Sequence, residues 1–183
     1  MYCYNCRFVA GDVDATTYFI SLPNNSLPDE TFVFNNCLFE FGTNMRLMTR
    51  SAGESTTFDG CVIRFNGVPG SRPLISVTQG VSDTPSHVIM KNTKIETLNT
   101  FSKVFYVDGA KKAYFDISNC SFPNSPKLMD VGANSTGELK MFNCEVSSTT
   151  IAGAGTKSAK IINPFDTEYL TLDTLPKYDG GVG

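Results

Sequence analysis

One short pattern recurs along this chain and limits what it can become. Six segments align when written under one another: Tyr4-Asn5-Cys6-Arg7-Phe8, Asn35-Asn36-Cys37-Leu38-Phe39, Asp59-Gly60-Cys61-Val62-Ile63, Lys91-Asn92-Thr93-Lys94-Ile95, Ser118-Asn119-Cys120-Ser121-Phe122 and Phe142-Asn143-Cys144-Glu145-Val146. Each places Asn or Gly before a small residue, with an apolar residue one or two positions on. The small residue falls at positions 6, 37, 61, 93, 120 and 144, at intervals of 31, 24, 32, 27 and 24. Unequal spacings of this size are what a solenoid produces when its core positions stay in register and its loops vary.

The segments between the motifs agree. Thr31-Phe32-Val33-Phe34, Val88-Ile89-Met90, Tyr114-Phe115-Asp116-Ile117 and Leu139-Lys140-Met141-Phe142 precede an Asn bend. Tyr18-Phe19-Ile20-Ser21-Leu22, Met45-Arg46-Leu47-Met48, Leu74-Ile75-Ser76-Val77, Val104-Phe105-Tyr106-Val107 and Leu128-Met129-Asp130-Val131 follow it at a distance. These runs are short and alternate roughly with period two, as half-buried strands do. No helical periodicity of ten or more residues separates them, which argues against βαβ units. Each repeat therefore reads strand, Asn bend, short strand, loop, strand, loop. Stacking such units in parallel at about 4.8 Å per turn would give a rod about 34 Å long for seven turns. An irregular antiparallel sandwich is the alternative, and it leaves the recurring bend unexplained.

Composition supports strands and turns. Asn, Thr and Ser supply 49 of the 183 residues, while charged residues are only 18%. The net charge of -3 comes without a basic run, so neither nucleic acid nor an anionic membrane is an expected partner. No stretch approaches the roughly 18 apolar residues of a membrane span, and residues 1–20 lack the layout of a signal peptide.

The column of small residues, Cys6, Cys37, Cys61, Thr93, Cys120 and Cys144, beside Asn5, Asn36, Asn92, Asn119 and Asn143, is a structural ladder. The thiols serve as small inward volumes at a tight corner, and the Asn amides can hydrogen-bond from turn to turn. Cys3 and Cys6 form a C-x-x-C, but no second Cys or His pair has zinc-like spacing and His87 stands alone, so neither metal nor cofactor is expected. Asn24, Asn119 and Asn134 match N-x-[ST], yet reduced thiols and the missing signal argue against glycosylation.

The Asn-Cys-x-apolar repeats, such as Phe34-Asn35-Asn36-Cys37-Leu38-Phe39 and Met141-Phe142-Asn143-Cys144-Glu145-Val146, resemble the right-handed parallel β-helix of the pectate-lyase-like superfamily, bacteriophage tailspikes included. The resemblance spans roughly residues 2–165. It implies an all-β, right-handed, single-stranded parallel β-helix of about six to seven coils over residues 1–165. A terminal strand around 167–172 and a flexible tail or linker would complete residues 166–183. It further implies a structural, host-surface-binding part of a virion appendage, assembled in the host cytoplasm. Its partners would be two further copies in a homotrimer, other virion proteins and a host-surface glycan. The chain starts within its first repeat, so a fragment or a component of a larger assembly is expected.

Polysaccharide-cleaving relatives of this fold need paired carboxylates or an acidic calcium cluster with a basic residue. Two carboxyl groups about 5–9.5 Å apart suffice for hydrolysis. Asp12 and Asp14 share the first loop, Asp29 and Glu30 adjoin in the second, and Glu40 and Arg64 follow the bend by three residues in consecutive turns. Loop acids usually solvate turns and a Glu–Arg ladder is usually an ion pair, so a depolymerase is the alternative and a non-enzymatic protein the expectation. Tyr18, Tyr106 and Tyr114, on strands with a wet face, are the candidates for stacking on sugar rings.

Overall fold

A computed structural model of the chain describes residues 1–12, 17–21, 31–43, 45–50, 55–67, 73–78, 85–97, 100–109, 112–122 and 124–162. The first turn holds β1 (Tyr2–Tyr4), β2 (Arg7–Ala10) and β3 (Thr17–Ser21), and the second β4 (Thr31–Asn35), β5 (Leu38–Phe41) and β6 (Met45–Arg50). The third holds β7 (Ser55–Asp59), β8 (Val62–Phe65) and β9 (Pro73–Thr78), and the fourth β10 (Ser86–Lys91), β11 (Lys94–Thr97) and β12 (Lys103–Asp108). A fifth turn has β13 (Ala113–Ser118) and β14 (Met129–Val131), a sixth β15 (Thr136–Phe142) and β16 (Ile151–Ala152), and β17 (Thr156–Ile162) opens a seventh.

Every pairing between these strands is parallel and joins one turn to the next. Three sheets result, in the orders β1-β4-β7-β10-β13-β15-β17, β2-β5-β8-β11 and β3-β6-β9-β12-β14-β16. The molecule is a parallel β-solenoid, and an antiparallel sandwich is excluded. Against the expected six to seven coils, four turns carry all three strands. In the fifth and sixth the middle strand shrinks to single bridges, Lys94 to Ser121 and Ser121 to Glu145. The terminal strand expected at 167–172 and the tail lie outside the described residues.

Stacking in register sends like residues inward. Phe34 and Phe58, partners on β4 and β7, lie nearly parallel with ring centroids 5.2 Å apart. Phe8 and Phe39 do the same on the second sheet at 4.9 Å. Phe105, on β12, meets Phe115, on β13, at 4.6 Å across the interior. Ile63, Ile75, Val77, Met90, Val107, Met129, Val131 and Leu139 complete a fully buried core. No unit of this size would bury such a face alone, so each turn is stabilised by the turns above and below it.

Period-two alternation holds on the first two sheets but fails on the third. Met45 to Met48 and Pro73 to Val77 are buried at successive positions, Arg46 and Ser76 included. The outer side of that sheet is therefore covered around the second and third turns.

Candidate functional site

The bend between the first and second sheets is built identically in every turn: two residues separate the strands, the first left-handed and the second small. Asn5, Asn36, Asn92, Asn119 and Asn143 have φ of 54°, 52°, 49°, 53° and 52°, and Gly60 has 64°. Asn is the residue that reaches this region at least cost after Gly, which explains why only these two types occupy the position. The backbone N–H of each donates to a strand-end carbonyl of the next turn: Asn5 to Asn35, Asn36 to Asp59, Gly60 to Lys91, Asn92 to Ser118, Asn119 to Phe142 and Asn143 to Ile162, at 2.8–3.0 Å. Side-chain amides then chain outward, Asn143 Nδ2 to Asn119 Oδ1 at 2.9 Å, Asn119 to Asn92 at 3.1 Å and Asn92 to Asp59 at 3.0 Å. At Gly60 a Cβ would come within 2.3 Å of Asn36 Oδ1.

The column beside it is equally regular. The thiols of Cys6, Cys37, Cys61, Cys120 and Cys144 each donate to the carbonyl two residues earlier at 3.2–3.5 Å. Thr93 takes the same place with a hydroxyl, donating to Lys91 O at 2.8 Å. All six cysteines are free, and Cys37, Cys61, Cys120 and Cys144 are buried. Burial pushes the Cys61 thiol up to about 11, and a hydrogen bond with Cys144, with burial second, raises Cys120. Cys61 and Cys120 thus keep their protons more firmly than a free thiol, whereas the hydrogen bond with Cys120 lowers Cys144.

On the second sheet the outward column runs Val9, Glu40, Arg64, Glu96. Arg7 Nε donates to Glu40 Oε2 at 2.5 Å, Arg64 lies 3.6 Å from Glu40 and 2.6 Å from Glu96, and Lys94 meets Glu96 at 3.0 Å. A hydrogen bond from Arg64 holds the Glu96 carboxyl below its ordinary value. Glu40 and Arg64 are thus brought together, as neighbours in a charge-compensated ladder. Asp12 accepts the backbone N–H of Thr43 at 2.7 Å, which lowers its pKa; Asp14, Asp29 and Glu30 lie outside the described residues.

The three tyrosines are not brought together. Tyr18 lies on β3 under the Arg46 guanidinium, 3.8 Å from the ring centroid, with its hydroxyl accepting from Arg46 Nη1. Tyr114 lies on β13 against His87, centroids 4.8 Å apart, and Lys112. Tyr106 lies on β12 with Lys103 Nζ 4.2 Å over the ring, and donates to Asp108 at 3.0 Å. It belongs to a polar cluster in which Lys103 and Lys127 both bond Asp130 Oδ2, at 2.9 and 3.1 Å. Burial works to raise the Asp130 carboxyl, but the two ammonium groups outweigh it and hold it low. Each tyrosine ring thus already carries a cation or imidazole on one face.

A further group was not apparent from the sequence. On the outer face of the first sheet, Lys91, Asp116, Lys140, Phe142, Lys160 and Ile162 line a shallow groove of about 320 Å³. The signal was there in the parity of Leu139-Lys140-Met141-Phe142, which turns Lys140 and Phe142 outward together, but aligning it with Lys160 needs the register. Among the described residues no three His, Cys, Asp or Glu side chains converge as a metal site requires, and no helix is long and apolar enough to cross a membrane. Compared with family models, curated proteins and solved structures, the chain matches none. The class its fold defines is the parallel β-solenoids.

Proposed function

We propose that this solenoid is a rigid, host-surface-binding segment of a phage virion appendage, a tailspike, tail fibre or head fibre, and that it works as a homotrimer among other virion proteins. The observation that carries the reading is the seven-strand first sheet, in which one register runs unbroken from β1 to β17. Such a stack resists bending, because every turn is hydrogen-bonded along its length to the next, and it presents long flat faces for self-association and ligand contact. Free, buried thiols are in keeping with assembly in a reducing cytoplasm. The acidic candidates favour a structural role: Glu40 is neutralised between two arginines and Asp12 is engaged by a backbone N–H.

Size-exclusion chromatography with light scattering, followed by retention on bacterial envelope glycans, tests the proposal. A trimer that is retained supports it. A stable monomer that no envelope glycan retains overturns it, and release of soluble oligosaccharide would mark a depolymerase instead.

A further inference from the structure

The groove on the first sheet has features that the solenoid itself does not require. Its outward column reads Tyr4, Asn35, Asp59, Lys91, Ser118, Phe142 and Ile162 from turn to turn. Polar side chains fill the middle of that column, yet Phe142 stands 49% exposed and Ile162 43%. In the neighbouring column Lys140 is the register partner of Asp116 on one side and Lys160 on the other. Lys140 pairs with Glu138 at 3.3 Å, while the ammonium groups of Lys91 and Lys160 make no ion pair among the described residues. An open aromatic ring that shares a groove with Lys91 and Lys160, on a chain of net charge -3, is a local departure from the surface around it.

We propose that this groove binds a linear glycan carrying carboxylate groups. The Phe142 ring stacks on the apolar face of one sugar, Lys91, Lys140 and Lys160 take carboxylates of that sugar and its neighbours, and Asp116 accepts hydroxyl hydrogen bonds. The inference rests on the surface-binding reading above and names its ligand class. The occupant follows from charge and shape. From Lys91 to Lys160 the cations cover three turn spacings, about 14 Å along the stack, which suits an extended polymer lying across the strands. A nucleic acid would bring about one charge per 1.7 Å of duplex axis against Asp116 and Glu138 as well, whereas a uronate-type polymer alternates carboxylates with hydroxyls that Asp116 can use.

The test is binding of the full chain to immobilised polygalacturonate, alginate and polysialic acid, with methyl-esterified polygalacturonate, dextran and a single-stranded oligonucleotide alongside. Retention on at least one carboxylated glycan is expected, weakened by esterification and by high salt. Lys140→Ala with Lys160→Ala should weaken it about fivefold or more, and Phe142→Ala about tenfold. Lys94→Ala, on the second sheet, should leave it unchanged, with the circular dichroism of all variants superimposing on the parent. Indifference to Phe142→Ala, equal binding of the esterified polymer, or tighter binding of the oligonucleotide overturns the proposal. Retention on neutral glycans alone overturns the groove's assignment but leaves surface binding standing; no glycan retention at all removes both.

Discussion

At the scale of single residues, the bend explains why so few amino acids recur there. A left-handed φ penalises any side chain with an ordinary Cβ environment, and the amide of Asn recovers part of that cost by bonding to the next turn. Asn119→Ala should therefore destabilise the fold by about 1–2 kcal/mol, and Asn119→Gly should recover the backbone part, as read by urea denaturation. Thr93→Val removes the donor to the Lys91 carbonyl and should cost about 1–3 kcal/mol, whereas Thr93→Cys should cost under about 1 kcal/mol, because its neighbours in the column are thiols. Cys61 adds a pH dependence. Its thiol keeps its proton in the folded chain to about 11 against an ordinary 9.0. The stability it contributes is complete below pH 9 and is lost as pH rises from there toward 11. A melting temperature that falls over that window in the parent, and falls less in Cys61→Ala relative to its own neutral-pH value, checks it. The Asn and Cys positions were legible because each residue type recurs in one local setting at five of the six bends. The left-handed backbone was announced only by Gly60 standing where the other turns have Asn.

Among the elements, the same principles separate ornament from support. The Glu40–Arg64–Glu96 column and the Arg7 that pairs with it lie at the surface, so Arg64→Ala should cost less than about 1 kcal/mol and the loss should shrink in high salt. Phe39→Ala, which empties a fully buried site among Phe8, Phe19, Phe34 and Phe58, should cost about 3–5 kcal/mol at any salt. Parallel thermal melts at low and high ionic strength distinguish the two. The first two sheets could be read from alternation alone. The third could not, because Met45 to Met48 and Pro73 to Val77 are buried at consecutive positions, and the burial of Arg46 depends on what covers the sheet rather than on its own sequence. The Lys140, Phe142 and Lys160 group escaped the sequence for a related reason: its members lie on two strands and meet only through the parallel register.

For the whole molecule, stability is shared between nearest neighbours along one axis. Turns in the middle have two partners and terminal turns one, so amide hydrogen exchange should be slowest in β7 to β10 and quicken toward β1 and β17; uniform protection from end to end would contradict that picture. One further property follows from the corner geometry. The Asn bend always spans two residues, while the connections from the third sheet back to the first range from three residues (153–155) to nine (22–30). Length is therefore conserved at one edge of the rod and free at another. Foreign peptides spliced into the variable edge would be carried at fixed height by an unaltered shaft, so the molecule is by construction a ruler with interchangeable markings.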